Sequence, residues 1–332
     1  MKITAPVSTV FEAEVLIDLG AGELYCGLNP GAWESKHGRD VWLNRRGPGT
    51  ANIEDFETLK KLCALARRQH AQVFLTLNLP FYPPEQYQEI TALVEKAGEY
   101  CGVDAFIVSD PGLMVAIKEA CPKAAIHVSS LAAVLNSSSV DFYRSLGAKR
   151  IIFPRYLDLA VLKEIMDKAG RDLEYEVFIL NDGCVFEEGY CHVSHAFGGA
   201  FCHNPWWSYQ PVQTGRRQGA PDKETFEQHL NDYQWWLWLG IKNSGGVPTP
   251  KGHPLGMCGL CALPELKALG VDSLKIVGRE AVLRKKEASV MLVKTMLDYL
   301  DSGADADSAR LRAKEIREIR DLCATGYMCY YR

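Results

Sequence analysis

The chain has 332 residues, 47% of them hydrophobic and 23% charged, with a formal net charge of −4. A chain of this length can form either one barrel of about 250 residues with insertions or two smaller domains. Because acidic and basic residues are interspersed, the net charge does not indicate the broad basic surface of a nucleic-acid-binding protein. No apolar run approaches the roughly 20 residues that a membrane-spanning helix requires.

The amino-terminal residues and the cysteines predict the cellular compartment. Residues 1–6 do not read as a secretory signal peptide, and the number of cysteines, 11, is odd. A chain this long also has no need of a disulfide framework to hold its core. We therefore expect a cytoplasmic protein whose cysteines are reduced or bind a metal.

Short runs rich in β-branched and aromatic residues alternate along the chain with amphipathic stretches, which is the pattern of a parallel α/β fold. The predicted strands are Lys2 to Pro6, Glu23 to Gly27, Gln72 to Asn78, Ala105 to Ser109, Ala124 to Ser129, Arg150 to Phe153, Tyr175 to Leu180 and Ser273 to Val277. The predicted helices between them are Ile53 to Gln69, Pro84 to Gly98, Pro111 to Ala120, Ser138 to Leu146 and Leu159 to Ala169. Eight strands with intervening helices favour a TIM-like (β/α)8 barrel over an open sheet.

Residues 203–255 interrupt the alternation between the last two predicted strands. Five of the seven tryptophans fall in this insertion, which has a predicted helix over residues 223–239. Such aromatic side chains can stack on a base, dock a partner protein or shield a metal centre from water. We predict a barrel over residues 1–290 with this insertion, followed by a helical extension over 291–332.

Five polar side chains at the carboxyl ends of the predicted strands are candidate substrate-binding groups: Asn78, Ser129, Arg155, Lys275 and Arg279. In a barrel this end carries the active site. Asparagine and serine also cap helices, so Asn78 and Ser129 have that alternative. Arg155 and Lys275 are not explained as caps. An arginine just after a strand, as Arg155 is, suits a carboxylate or phosphate, with an internal ion pair as the alternative.

Four cysteines, Cys184, Cys191, Cys202 and Cys258, lie at the end of a predicted strand and on the loops that follow. Thiolates are soft ligands that suit an iron–sulfur cluster or zinc. Cys261 competes with Cys258 for the last place. The aromatic carboxyl terminus carries a further candidate pair, Cys323 and Cys329, whereas the four cysteines before residue 130 read as packing residues.

Several sequence blocks carry a resemblance to a known family. Glu176–Phe178, then Cys184, then Gly-Tyr-Cys-His-Val-Ser at 189–194 resemble the signature of the collagenase-like peptidase family U32. Residues 20–27, 76–78, 127–136, 146–151 and 270–279 are similar to other blocks of that family, so the resemblance covers roughly residues 1 to 290. The chain departs from the family pattern at Tyr156 and Val277, where the family carries acidic residues.

The resemblance implies a TIM-like barrel in which Cys184, Cys191, Cys202 and Cys258 hold a 4Fe-4S cluster. Family members include oxygen-independent hydroxylases of the ubiquinone pathway, which work as pairs of related proteins, and RNA hydroxylation proteins, with prephenate as the suggested hydroxyl donor. It therefore implies hydroxylation of an aromatic or nucleobase substrate. A small anionic co-substrate such as prephenate would be held by Arg155, Lys275 and Arg279, with RNA or a homologous protein as partner.

Two other functions stay open at this point. The cluster can be structural, in a binding subunit that pairs with a homologous chain through the tryptophan-rich insertion. The family name suggests a peptidase, but the sequence has no Gly-x-Ser-x-Gly, His-Glu-x-x-His or Ser-x-x-Lys motif. A cysteine bound to a cluster is also unavailable as a nucleophile.

Overall fold

A computed structural model describes residues 1–38, 42–47, 49, 51–183, 222–236, 249, 252–319, 323–324, 326 and 328–331. Its strands are β1 (Lys2–Pro6), β2 (Glu23–Leu28), β3 (Asn52–Ile53), β4 (Gln72–Leu77), β5 (Ala105–Val108), β6 (Ile126–Val128), β7 (Ala148–Ile152), β8 (Glu174–Asn181), β9 (Met257–Cys258) and β10 (Ser273–Ile276). Eight of them are parallel neighbours in the order β1-β10-β8-β7-β6-β5-β4-β2, and pairing of β1 with β2 closes the ring. The predicted TIM-like barrel and its eight strands are confirmed.

Helices connect the strands and form the outer layer. They are α1 (Val10–Asp18), α2 (Gly31–His37), α3 (Phe56–Arg68), α4 (Tyr87–Glu95), α5 (Pro111–Ala120), α6 (Ser137–Ser145), α7 (Leu159–Ala169), α8 (Lys223–Trp236), α9 (Leu263–Ala268), α10 (Leu283–Asp301) and α11 (Ala306–Arg317). The predicted helices between residues 53 and 169 are present, whereas α1 and α2 were not predicted. The predicted barrel boundary at residue 290 falls inside α10, which packs on β1, β8 and β10.

Short polar side chains after the strands begin several of these helices. The carboxylates of Asp55, Asp110 and Asp158 and the amide oxygen of Asn136 accept backbone N–H groups in the first turns of α3, α5, α7 and α6. Each contact satisfies an N–H that has no partner within its helix. No helix in the described ranges is both long enough and apolar enough to cross a membrane.

The barrel interior has an apolar upper layer. Tyr25, Phe74, Ile107, Ile152 and Phe178 form one buried cluster inside the ring. Met257, Met328 and Tyr330, which come from β9 and the carboxyl terminus, join this cluster. These late segments therefore close part of the barrel's carboxyl end.

Below this layer the interior is ionic. Arg150 on β7 donates to Glu23 at 2.7 Å, to Glu176 at 2.7 Å and to Glu174 at 2.6 Å. Burial alone would raise the pKa of Glu23, but Arg150 and two hydroxyl donors lower it to about 2. The network supplies each buried charge with an opposite charge, which is the condition for keeping ions inside a protein.

Candidate site at the carboxyl end of the barrel

The structure places Arg279 three residues after the end of β10, at the barrel mouth. Arg279 is 6% exposed, and its guanidinium donates to Asn44 Oδ1 at 2.8 Å and to Thr76 Oγ1 at 3.0 Å. Asn52 Oδ1 lies 3.5 Å from the same group. All three partners are neutral, and among the described residues no carboxylate forms an ion pair with Arg279.

The surroundings of Arg279 are shaped to hold this side chain. Burial, together with the nearby charge of Arg46, lowers the pKa of Arg279 to about 10. The guanidinium is nevertheless charged at neutral pH. A Cβ atom on Gly27 would collide with Asn52 Oδ1 and Arg279 Nη1, so glycine is needed for β2 to approach this cluster closely.

Tyr25, in the apolar layer of the barrel, shows which charges act at this end of the barrel. Its hydroxyl donates to the Ile276 carbonyl at 3.1 Å. Burial raises the pKa of this phenol, and the charges of Arg279, Arg155 and Arg46 act on it in the opposite direction. Three arginines therefore influence one point inside the mouth, together with the carboxylate of Asp182.

Arg155 follows β7 and turns toward the same point. Its guanidinium carbon lies 4.3 Å from the centroid of the Phe178 ring, within the range of a cation–π contact. Phe178 belongs to the apolar layer of the barrel. The structure thus brings Arg155 and Arg279, two of the predicted substrate-binding residues, to one end of the barrel.

Lys275 occupies a different position from the one expected at a strand end. It lies within β10, is 7% exposed and donates to Glu176 Oε1 at 2.6 Å. Its ammonium also lies 4.2 Å from the Tyr25 ring centroid. Burial lowers the pKa of Lys275, while Glu176 raises it. This lysine belongs to the interior ionic network, which the sequence did not indicate, and we leave it out of the proposed site.

Asn78 and Ser129 lie at the mouth but take part in local structure. Asn78 Oδ1 accepts the backbone N–H of Arg45 at 3.2 Å. Ser129 Oγ accepts the N–H of Leu131 at 3.3 Å and so begins a 3-10 turn over Ser130–Ala132. Both side chains shape the loops around the mouth, and their contact with a substrate stays a prediction.

The predicted metal ligands are only partly described. Cys184, Cys191 and Cys202 lie outside the described residues, as do most of residues 203–255. Cys258 is on β9, which pairs antiparallel with the end of β8 so that Cys258 lies opposite Leu180. Gly256 makes this pairing close, because a Cβ atom there would lie 2.7 Å from Asn181 Cα.

The pair Cys323 and Cys329 lies beside Cys258 and Cys261. Cys329 is the backbone bridge partner of Cys258. Burial, together with the neighbouring Cys258, Cys323 and Cys329, raises the pKa of Cys261 to about 12. In the ranges given above, no three cysteine, histidine, aspartate or glutamate side chains are already arranged around a metal-sized point. In the sequence these cysteines form two separate pairs, Cys258 with Cys261 and Cys323 with Cys329. Nothing local in the sequence links residue 258 to residue 329.

Comparison with known proteins gives a family match over almost the whole chain. The model of peptidase family U32 matches residues 8–332. A solved structure, the U32 peptidase Mk0906, is 13% identical and superimposes with a TM-score of 0.44 over 64% of this chain and 85% of that one.

Curated relatives carry names that describe RNA hydroxylation. tRNA hydroxylation protein P1 of Bacillus subtilis is 22% identical over 97% of this chain and 68% of the relative. tRNA hydroxylation protein P of Escherichia coli is 37% identical over 64% of this chain and 53% of the relative. The 23S rRNA 5-hydroxycytidine C2501 synthase of Escherichia coli is 28% identical over 49% and 24%. The chain thus spans only part of the length of these proteins.

Proposed function

Because this chain belongs to peptidase family U32, and relatives are named as tRNA and rRNA hydroxylation proteins, we propose that it takes part in hydroxylating a base in RNA. The observation that carries the proposal is the Arg279 guanidinium, buried at the barrel mouth among neutral partners. A buried cation that has no counter-ion among the described residues favours an anionic ligand, which gains a charge-assisted contact at little further desolvation cost.

The anion in this proposal is the carboxylate of a small hydroxyl donor of the prephenate type. A guanidinium has five N–H donors, and the described contacts of Arg279 use Nη1 and Nη2. The remaining donors suit a carboxylate, which arginine binds with two parallel hydrogen bonds. The Phe178 ring and the Arg155 guanidinium offer a flat apolar surface and a second charge for the body of such a molecule.

The proposed cofactor is a 4Fe-4S cluster held by Cys184, Cys191, Cys202 and Cys258, with Cys261 as the rival for the last ligand. Two features of the described residues suit thiolate ligation near the mouth. Cys258 lies beside the end of β8, and its Sγ accepts the Leu260 N–H at 3.5 Å. When bound, such a cluster supplies one-electron chemistry beside the substrate.

The RNA substrate would present one unpaired base to the mouth. Base-modifying enzymes take the target base out of its stack, and sequence-specific RNA recognition favours unpaired loops. The net charge of −4 gives no general attraction for RNA, so the local charges of Arg46, Arg155 and Arg279 would supply it. The tryptophans of residues 203–255 are candidates for stacking on that base.

The second candidate is a cluster-bearing subunit that works with another chain. A peptidase is less well supported. Burial raises the pKa of Cys26, Cys63, Cys101 and Cys121, which is the reverse of what a cysteine nucleophile requires.

The test is nucleoside mass spectrometry of RNA from bacteria that lack their own tRNA hydroxylation proteins and express this chain. We expect a hydroxylated nucleoside with the wild type and at least a tenfold loss with Arg279→Gln, while Arg279→Lys retains part of the activity. Arg68→Gln on the outer face of α3 is the matched control. Absence of any hydroxylated nucleoside, including when lysate of the source organism supplies a partner chain, would rule out the proposal.

A further inference from the structure

Two exposed aromatic side chains lie on loops that surround the barrel mouth. Phe81 is the fourth residue after the end of β4, and Tyr156 is the fourth residue after the end of β7. Phe81 is 57% exposed and Tyr156 is 38% exposed. Because the barrel strands are parallel, both residues lie at the same end of the barrel as Arg279. We define the mouth rim as residues 43–46, 78–82 and 153–157.

The backbone that carries Phe81 is held in place by the next residue. The Tyr82 hydroxyl donates to the Leu43 carbonyl at 2.7 Å, and the Tyr82 N–H donates to Asp110 Oδ2 at 2.8 Å. Tyr82 is buried, whereas Phe81 is exposed. The Phe81 ring is therefore presented to solvent by a segment whose own position is fixed.

Tyr156 lies between two anchored residues. The Arg155 guanidinium packs against the Phe178 ring, 4.3 Å from its centroid, and the Leu157 side chain is buried in the main hydrophobic core. Asp158 then caps the first turn of α7. A ring that is already oriented in this way loses little conformational freedom when a ligand stacks on it.

Exposed apolar side chains are common on protein surfaces, so exposure alone does not indicate a ligand. Among the described residues, the outer helical layer carries three other exposed aromatic rings, those of Phe11, Tyr100 and Phe142. The charged groups of the mouth distinguish Phe81 and Tyr156 from these three.

Arginines accompany both rings. Arg155 directly precedes Tyr156 in the chain. The Arg45 N–H donates to Asn78 Oδ1 at 3.2 Å, which joins the segment of Arg45 and Arg46 to the loop that carries Phe81. The Arg46 guanidinium lies 3.6 Å from the Glu280 carboxylate, but both side chains are partly exposed. A pair of this kind is weak, and a phosphate can compete for the arginine.

The loops that carry the two rings contain no acidic residue. Residues 78–82 and 153–157 have neither aspartate nor glutamate, and Tyr156 stands where the family pattern has an acidic side chain. Aromatic rings beside arginines, without nearby carboxylates on the same segments, are the combination that binds single-stranded nucleic acid. The arginines contact phosphates, and the rings contact the faces of the bases.

We propose that Phe81 and Tyr156 stack on the bases that flank the target nucleotide, so that the mouth rim is a binding site for single-stranded RNA. This inference rests on the proposed function, and it names the groups that hold the RNA on either side of the reacting base. In the ring, β5 and β6 separate β4 from β7. Three strand spacings place the two loops roughly 14 Å apart along the ring, which leaves room between the rings for one base to enter the mouth.

Fluorescence anisotropy with a labelled single-stranded RNA oligonucleotide, on the full chain purified without oxygen, tests the site. Phe81→Leu and Tyr156→Leu should each weaken RNA binding at least fivefold, because leucine is apolar but has no flat face for a base. Phe81→Tyr and Tyr156→Phe keep that face and should restore the affinity. The dependence of affinity on salt should be unchanged in the leucine variants and shallower in Arg46→Gln, which removes a phosphate contact.

Phe11→Leu and Phe142→Leu are the matched controls, because both rings are exposed on outer helices, α1 and α6. Neither substitution should change the affinity for RNA. Wild-type protein that does not bind the oligonucleotide, or leucine variants of the rim that bind it as tightly as the wild type, would overturn the proposal. If those variants lose association with a homologous chain instead, the rim is a protein interface.

Nucleoside analysis of the same variants separates this inference from the proposed function. If the wild type hydroxylates RNA and the leucine variants of the rim do so with an unchanged KM for RNA, the stacking site is wrong and the hydroxylation stands. If the wild type binds RNA through both rings but forms no hydroxylated nucleoside, the RNA site stands and the proposed hydroxylation is wrong.

Discussion

Replacing Arg150 by methionine should destabilise the protein by about 3–5 kcal/mol at pH 7, the range for breaking a buried ion pair. The substitution keeps most of the volume but leaves Glu23 and Glu176, both fully buried. Among the described residues Lys275 is then their one buried cation, while Lys2, which also pairs with Glu23, is half-exposed. The pKa of Glu23 gives a figure of the same order for the net effect of burial, Arg150 and the two hydroxyl donors on this carboxylate. A value of about 2 in place of 4.5 corresponds to about 3 kcal/mol, since one pKa unit is worth about 1.4 kcal/mol.

The pH dependence should change sign in this variant. In the wild type, Glu23 has a lowered pKa, so its contribution to stability is present above pH 4.5 and is lost as the pH falls toward 2. Without Arg150, burial raises the pKa of Glu23, and the variant should become more stable as the pH falls from 7 to 5.

Urea unfolding at pH 7, 5 and 3, followed by circular dichroism, measures both effects. Arg144→Met is the matched control, because Arg144 pairs with Asp141 and Asp172 at the surface and should lose about 1 kcal/mol or less. A loss below about 1 kcal/mol for Arg150→Met at pH 7, or the same pH profile as the wild type, would refute the interior network as a source of stability.

Two further predictions follow from the mouth and from the carboxyl-terminal tail, residues 328–331. Gly27→Ala should reduce RNA hydroxylation at least tenfold while the protein remains folded, because the added methyl group displaces Asn52 and Arg279. Gly31→Ala is the control: a Cβ atom there meets nothing within 4 Å, so this variant should hydroxylate RNA as the wild type does in the same nucleoside assay. Tyr330→Phe removes the donor to two carbonyls at the end of β8 and should cost about 1–2 kcal/mol. Faster cleavage of the tail in limited proteolysis would report this loss, and an unchanged rate would contradict it.

The barrel could be predicted because its strands carry their signal locally. Each strand is a short run of β-branched and aromatic residues, buried on both faces, and each lies between turn residues and a helix with a polar face. Helix α1 was missed because it packs against both α3 and α10, so its apolar residues are spread over more than one face and the helical period is weak.

The position of a side chain at the barrel mouth could be predicted where the residue directly follows a strand. Arg279 and Arg155 follow strands, and the carboxyl ends of parallel strands meet at one end of a barrel. Lys275 lies two residues into a four-residue strand and faces Glu176, which is 99 positions earlier. The pairing of Cys258 with Cys329 likewise joins distant residues. Contacts of this kind depend on strand order and on the folding back of the tail, which a single sequence does not reveal.

The most direct test of the central claim is a reconstituted hydroxylation reaction. Wild-type protein and the Arg279→Gln variant, both purified without oxygen, would each be incubated with unmodified tRNA and prephenate. The nucleosides would then be analysed by mass spectrometry. The account predicts that a hydroxylated base forms only when prephenate is present. Arg279→Gln should need at least a tenfold higher prephenate concentration than the wild type, whereas Arg68→Gln should need the same concentration as the wild type. Hydroxylation that is equally efficient in Arg279→Gln at limiting prephenate would contradict the assignment of the buried arginine as the anion-binding group.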